Sequence, residues 1–271
     1  MPPDGPAVAT GVAVGLVLVA YGSVFGAAEI LRARGVSGET TRTTVHVLSG
    51  LVGLTLPFLF GSPWPIVLLA AAFACGLLAS RPTGLLGSVH DVGRPTVGAE
   101  AFPLGIAATF AITAGHAPAY PIAVLALALG DPAASIVGRR FGGRSAGRLG
   151  RATFSICGTR RSVEGSTAAF LVTTLFAAGV LFLEGGAGAA ALLATAGAVG
   201  LAVSVAEALS PRGLDNLAIP VVAAMVVGAT GMPWGLPVIL LLLADAGAVL
   251  VAWRAWTVYH PGGIGRLRWP A

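Results

Sequence analysis

The chain alternates long apolar runs with short polar connections. Runs of roughly 17 to 25 apolar residues are long enough to cross a bilayer as helices. Nine can be marked, at about 6–28, 44–60, 63–79, 97–115, 119–138, 166–183, 187–206, 215–231 and 234–253. The second and third are short and separated only by GSPWP, which suits a tight helical hairpin. The fourth opens irregularly with GAEAFPLG. The apolar run behind MPPDGPAVAT is longer than a signal-peptide core and follows no basic segment, so it reads as the first span. The pattern predicts an all-α, polytopic integral membrane bundle of about nine spans, filling 1–271 as one domain.

Composition agrees with this reading. Hydrophobic residues make up 56% of the chain and charged residues 10%, against about 25% charged in soluble domains. Glycine, at 39 residues, suits close helix packing in lipid. Cys75 and Cys157 have neither a disulfide framework nor a metal-ligand spacing and read as free thiols.

Charge adds an orientation. All 16 basic residues are arginines. They fall between spans one and two, three and four, five and six, or seven and eight, or after span nine. The other connections hold none. Nine spans therefore place every arginine on one face, which the positive-inside rule makes cytoplasmic, with the N-terminus outside and the C-terminus inside. The net charge of +5 is then a topology signal and not a nucleic-acid footprint. The loop at 138–165 exceeds what orientation needs. It holds seven arginines among glycines, a cluster suited to a polyanion such as a nucleoside triphosphate.

Carboxylates inside apolar runs are costly and usually functional. Asp131 lies eight residues before Arg139, about 12 Å along a helix axis. It either caps a helix break at Pro132 or serves as a metal ligand at the floor of a cytoplasmic cavity. Around it, Gly130, Ala134 and Gly138 form a small-residue stripe that lets another helix approach. His46, Glu100, Glu164, Glu207, Asp215 and Asn216 sit at the same level, each also readable as a helix cap. Asp4, His116 and Glu184 lie at the opposite face, and Asp245 lies deep in the last span. Together the polar residues suit phosphoryl chemistry. Oxygen ligands hold Mg²⁺ on phosphate oxygens, arginines offset the charge on a transferring group, and a base must reach the acceptor hydroxyl. The segment GRRFGGRS at 138–145 is one residue from a P-loop, but arginine replaces lysine and an apolar helix replaces the preceding strand, so it is not one.

Five segments carry a resemblance. TRTTVHVLSG presents Arg42, His46 and Gly50; GAEAFPLG presents Pro-Leu-Gly; GDPAASIVGRRFG presents Gly-Asp, then Ala, then Gly-Arg-Arg-Phe-Gly; RRSVEGSTAAF presents Ser-x-Glu-Gly-Ser-x-Ala; and LDNLAIP, with Glu207 before it, presents Asp-Asn-x-x-x-Pro. In this order, over about residues 40–225, they resemble the membrane family of CTP-dependent polyprenol kinases. That family includes dolichol, phytol and CTP-dependent diacylglycerol kinases and is distantly related to phosphatidate cytidylyltransferase. Arg161 stands where the family usually has lysine, and Pro132 is an unusual neighbour for the core aspartate.

The resemblance implies transfer of the γ-phosphoryl of CTP to an isoprenoid alcohol, with Mg²⁺, at the cytoplasmic face of the cell membrane. Onto that reaction we map Asp131, Glu164 and His46 as catalytic residues. Asp131, Asp215 and Glu164 are mapped as metal ligands. Arg139, Arg140, Gly142, Arg160, Arg161, Ser162 and Asn216 are mapped as nucleotide contacts. The expected partners are the lipid alcohol, the nucleotide and membrane lipids, with no nucleic acid. The rival readings are a cytidylyltransferase acting on a lipid phosphate and a membrane transporter. A transporter would spread polar residues through the bilayer depth, whereas here they cluster at one face.

Overall fold

The structure, a computed structural model, is described over residues 9–91, 96–142, 153–156 and 159–230. The expected ninth span at 234–253, Asp245, Cys157 and residues 143–152 and 157–158 of the arginine-rich loop lie outside the described residues. The described chain is a helical bundle. In order it contains α1 (Thr10–Ala33), α2 (Gly38–Gly53), the single turn α3 (Leu56–Leu59), α4 (Pro63–Ser80), the short α5 (Gly87–His90) and α6 (Gly98–Thr113). Then come α7 (Ala119–Leu125), a π turn (Ala126–Gly130) and α8 (Asp131–Phe141), followed by α9 (Val163–Glu184), α10 (Ala189–Leu209) and α11 (Asp215–Thr230).

Five helical stretches are long and apolar enough to cross a membrane: Thr10–Ala33, Pro63–Ser80, Ala119–Phe141, Val163–Glu184 and Ala189–Leu209. Gly98–Thr113 and Asp215–Thr230 are shorter apolar helices. Leu183 (84% exposed) and Phe182 (75%) turn outward, as side chains facing lipid do, because lipid tails are as apolar as leucine. The chain is a membrane protein. Each of the first eight expected spans contains a helix, but α2 ends early and the remainder of its run becomes α3.

One addition to the all-α expectation lies in the arginine loop. Thr153–Ile156 (β1) and Thr159–Ser162 (β2) pair antiparallel, with Phe154 opposite Arg161. Ser162 ends the hairpin and caps α9, its Oγ accepting from the Gly165 N–H at 3.1 Å. Ser37 caps α2 in the same way through the Thr40 N–H.

The core is built of Phe110, Tyr120, Ile122, Leu127, Val199 and Ile219. Tyr120 stands edge-on to Phe110, ring centroids 5.4 Å apart, and satisfies its hydroxyl on the Gly53 carbonyl at 2.8 Å. Small residues set the closest approaches. A Cβ at Gly50 would strike Ala128, one at Gly200 would strike Phe170 and Thr174, and one at Gly105 would strike the Asn216 carbonyl. The stripe Gly130, Ala134, Gly138 admits another helix as expected, and that helix is α9. Gly130 faces Thr173, the Ala134 carbonyl faces Gly165, and Gly138 faces Ser162.

The polar helix ends gather at one end of the bundle. Arg32 pairs with Asp91 at 2.8 Å, Arg81 with Glu100 at 2.6 Å, and Arg42 reaches Thr96 Oγ1 at 3.4 Å. Thr96 in turn donates to the Arg212 carbonyl at 3.0 Å. At the opposite end, Gly185 and Gly186 turn the chain at positive φ.

Candidate functional site

The site begins at the π turn. Ala126–Gly130 inserts a wider turn between α7 and α8, so the helix passes into Asp131 and Pro132 without breaking. The alternative reading of Asp131, as the cap of a helix break at Pro132, is not met: Pro132 follows the π turn directly, in the first turn of α8, where its missing N–H costs little. π turns of this kind occur frequently at functional sites.

α2 lies directly on this turn. Gly50 allows the approach, and His46, one helical turn earlier on the same face, reaches the Leu127 carbonyl with Nε2 at 2.8 Å. A carbonyl oxygen only accepts, so Nε2 carries the proton. The same nitrogen lies 3.8 Å from Asp131 Oδ2. The imidazole stands edge-on against the Phe102 ring, with centroids 4.8 Å apart.

A second cluster adjoins the first. Arg161 comes from the end of the hairpin and reaches between α10 and α11. It donates to Glu207 Oε1 at 2.6 Å, to Asp215 Oδ2 at 2.8 Å and to the Ser210 carbonyl at 3.0 Å. Burial alone would pull its pKa down, but Glu207 and Asp215 hold the guanidinium above its ordinary value. Ser166 Oγ approaches Glu207 Oε2 at 3.4 Å. The negative charges of Asp215 and Glu207 act on Asp131, with Arg161 and Arg42 as the countering cations.

Asn216 follows Asp215 in the first turn of α11. Its Nδ2 donates to the Gly98 carbonyl at 2.6 Å, which orients the amide. Its Oδ1 is buried with no hydrogen-bond partner among the described residues. Gly98 sits between this amide and the Arg42 guanidinium, leaving no room for a side chain.

The remaining expected site residues stand apart. Arg139 turns outward to Ser135 and to Glu39, 3.5 Å away, and Arg140 lies over the Phe141 ring. Gly142 packs on Ser162, and Ser162 is engaged as the cap of α9. Glu164 occupies the first turn of α9 with buried carboxylate oxygens, where the helix dipole favours negative charge. Arg160 lies in β2 opposite Ser155. Among the described residues no three His, Cys, Asp or Glu side chains form a metal-holding group on their own. Glu100 is paired with Arg81, away from Asp131.

Comparison with known proteins follows the same residues. The chain is 31% identical over 231 residues to a phytol kinase from Synechocystis sp., an alignment that covers 82% of this chain and 93% of that protein. The chain belongs to the polyprenol and phytol kinase family. It is, with that family, a phosphotransferase. No family model and no solved structure matches it. Two residues outside the mapped set adjoin this cluster. Glu207 shares Arg161 with Asp215, and Arg42 stands one turn before His46 on α2. The signal for Arg42 was its spacing of four from His46. The signal for Glu207 was a carboxylate at the arginine-bearing end of an otherwise apolar helix.

Proposed function

We propose that the chain transfers the γ-phosphoryl of CTP to an isoprenoid alcohol at the cytoplasmic face of the cell membrane. The reading carries nine spans, with the N-terminus outside and the C-terminus inside. What supports it above all is Asp131, set beside His46 by the π turn and facing the Arg161–Glu207–Asp215 cluster. Three carboxylates against two arginines leave an excess of negative charge, which suits a divalent cation. Mg²⁺ usually takes one or two carboxylates and completes its shell with phosphate oxygens and water. A site without three convergent protein ligands therefore fits a metal shared with the nucleotide.

In this reading Asp131 and Asp215 hold the cation, with Glu164 behind them. When bound, Mg²⁺ supplies charge neutralisation on the phosphates. Arg161 and Arg160 would hold phosphate oxygens beside Gly142 and Ser162, while Arg139 and Arg140, which turn away from Asp131 here, would have to swing inward to join them. The lipid hydroxyl attacks the γ-phosphorus. Its proton passes to Asp131, the bond between the γ-phosphorus and the bridging oxygen breaks, and CDP leaves. His46 orients the turn that carries Asp131.

The test is phosphoryl transfer by purified protein in detergent. γ-Labelled CTP or ATP is supplied with Mg²⁺ and a panel of isoprenoid alcohols, beside Asp131→Asn. Label in a lipid monophosphate, lost in the variant, is expected with CTP. Label from ATP alone would overturn the donor assignment. A CDP-lipid formed from a lipid phosphate would replace the kinase with a cytidylyltransferase.

A further inference from the structure

A cleft runs between α1, α2, α4 and α6. Its two ends differ in chemistry. One end is closed by Arg42, His46 and Asn216; the other is lined by Val17, Leu56 and Ile66. Three helices follow it in the same direction: passing away from Arg42, the wall runs from Phe25 to Val17 on α1, from Leu77 to Ile66 on α4 and from Gly98 to Ile106 on α6, apolar throughout. Ile66 and Leu77 are eleven residues apart, so the cleft extends about 17 Å along α4. That is roughly half the hydrocarbon thickness of a bilayer. The cleft is narrow, with a cavity volume of about 70 Å³.

The polar end meets the phosphoryl site. His46 contacts Leu127 and Asp131 from one wall, and Asn216 is the chain neighbour of Asp215. Asn216 lines the cleft, and its Oδ1 is buried with no hydrogen-bond partner among the described residues. A buried amide oxygen left unpaired costs free energy, and a hydroxyl at the head of a bound chain would satisfy it. At the seam between α1 and α4, Tyr21 and Phe73 meet with ring centroids 5.0 Å apart. Both line the cleft, so lipid entering from the side would pass them.

We propose that this cleft binds the isoprenoid tail of the acceptor alcohol, with its hydroxyl held at Asn216 Oδ1 beside His46. The inference rests on the lipid-kinase reading and adds where the lipid lies and what limits its length. The apolar end between Val17, Leu56 and Ile66 sets how far the tail extends.

The test separates binding from catalysis. A C20 isoprenoid alcohol bearing a diazirine at its tail end is cross-linked to the full chain in lipid nanodiscs, with no nucleotide present. The expected label falls on residues around Val17, Leu56 and Ile66 and is displaced by the unlabelled alcohol. Label on the outer face of α9 near Phe182, label displaced by phospholipid instead, or no displaceable label would each overturn the proposal. A second arm uses Leu69→Trp, which narrows the slot toward its apolar end. The expected result is a kcat/KM for the C20 alcohol lowered on the order of tenfold or more, with a C10 alcohol unaffected. Equal losses for both lengths at an unchanged melting temperature would overturn it. If the variant melts lower, the cross-link on the unaltered chain decides. Displaceable label in the cleft of a protein that phosphorylates no alcohol would retain the binding site and sink the kinase reading.

Discussion

His46 Nε2 lies 2.8 Å from the carbonyl oxygen of Leu127, inside the π turn that ends at Asp131. Because the carbonyl cannot donate, the imidazole spends its Nε2 proton on the backbone and does not use that nitrogen as a base. His46→Gln, which retains an N–H donor, is expected to keep more activity than His46→Ala. The alanine variant should lose about 1 kcal/mol of stability, the scale of one net hydrogen bond. Paired kcat measurements and thermal melts in detergent check this. Equal activity in both variants would remove the positioning role.

Arg161 bridges Glu207 and Asp215, whose side chains are 4% and 11% exposed. Removing the cation leaves two buried carboxylates without compensation. Arg161→Met should destabilise the chain by about 3–5 kcal/mol. Arg161→Lys keeps the charge but lacks the planar fork that reaches two carboxylates and the Ser210 carbonyl, so an intermediate loss is expected. Adding Asp215→Asn to Arg161→Met should restore part of the stability, and a double-mutant cycle measures how much.

Gly50 meets Ala128 where α2 crosses the π turn, and an added methyl has no space. Gly50→Ala is expected to cost about 1–3 kcal/mol by overpacking. It should also lower activity, since the displaced helix carries His46. The compensating pair Gly50→Ala with Ala128→Gly should recover both, read by melting temperature and turnover.

His90 stands outside the spans, with Nε2 2.9 Å from Ser80 Oγ. Burial first, and then the Arg81 charge, lower its pKa from the ordinary value. A histidine with a lowered pKa in the fold binds fewer protons there than in the unfolded chain. Stability is therefore full above about pH 6.5, the unfolded value, and declines as pH falls through the folded pKa. His90→Gln should flatten this acid limb of a melting-temperature profile. An unchanged limb would assign it to other groups.

Much of the architecture was legible in the spacing of apolar runs, because a bilayer demands long helices whatever their neighbours. The motif segments likewise marked Asp131, His46, Arg161, Asp215 and Asn216 before any contact was known. The small-residue stripe was readable as an approach surface, but not that α9 would fill it.

What the sequence alone determined is the class of protein, the end of the bundle where polar chemistry collects, and the residue types available there. Those follow from local rules: hydropathy over a window, charge between spans, and motif spacing. Tertiary structure decided which of those residues meet. It separated Arg139 and Arg140 from Asp131, gave Ser162 to a helix cap, and brought Arg161 across to Glu207 and Asp215, 46 and 54 residues away. It also placed a π turn ahead of Pro132 and opened an apolar slot ending at Asn216. The long-range contacts among these could not be read from spacing, because they depend on how closely separate helices approach.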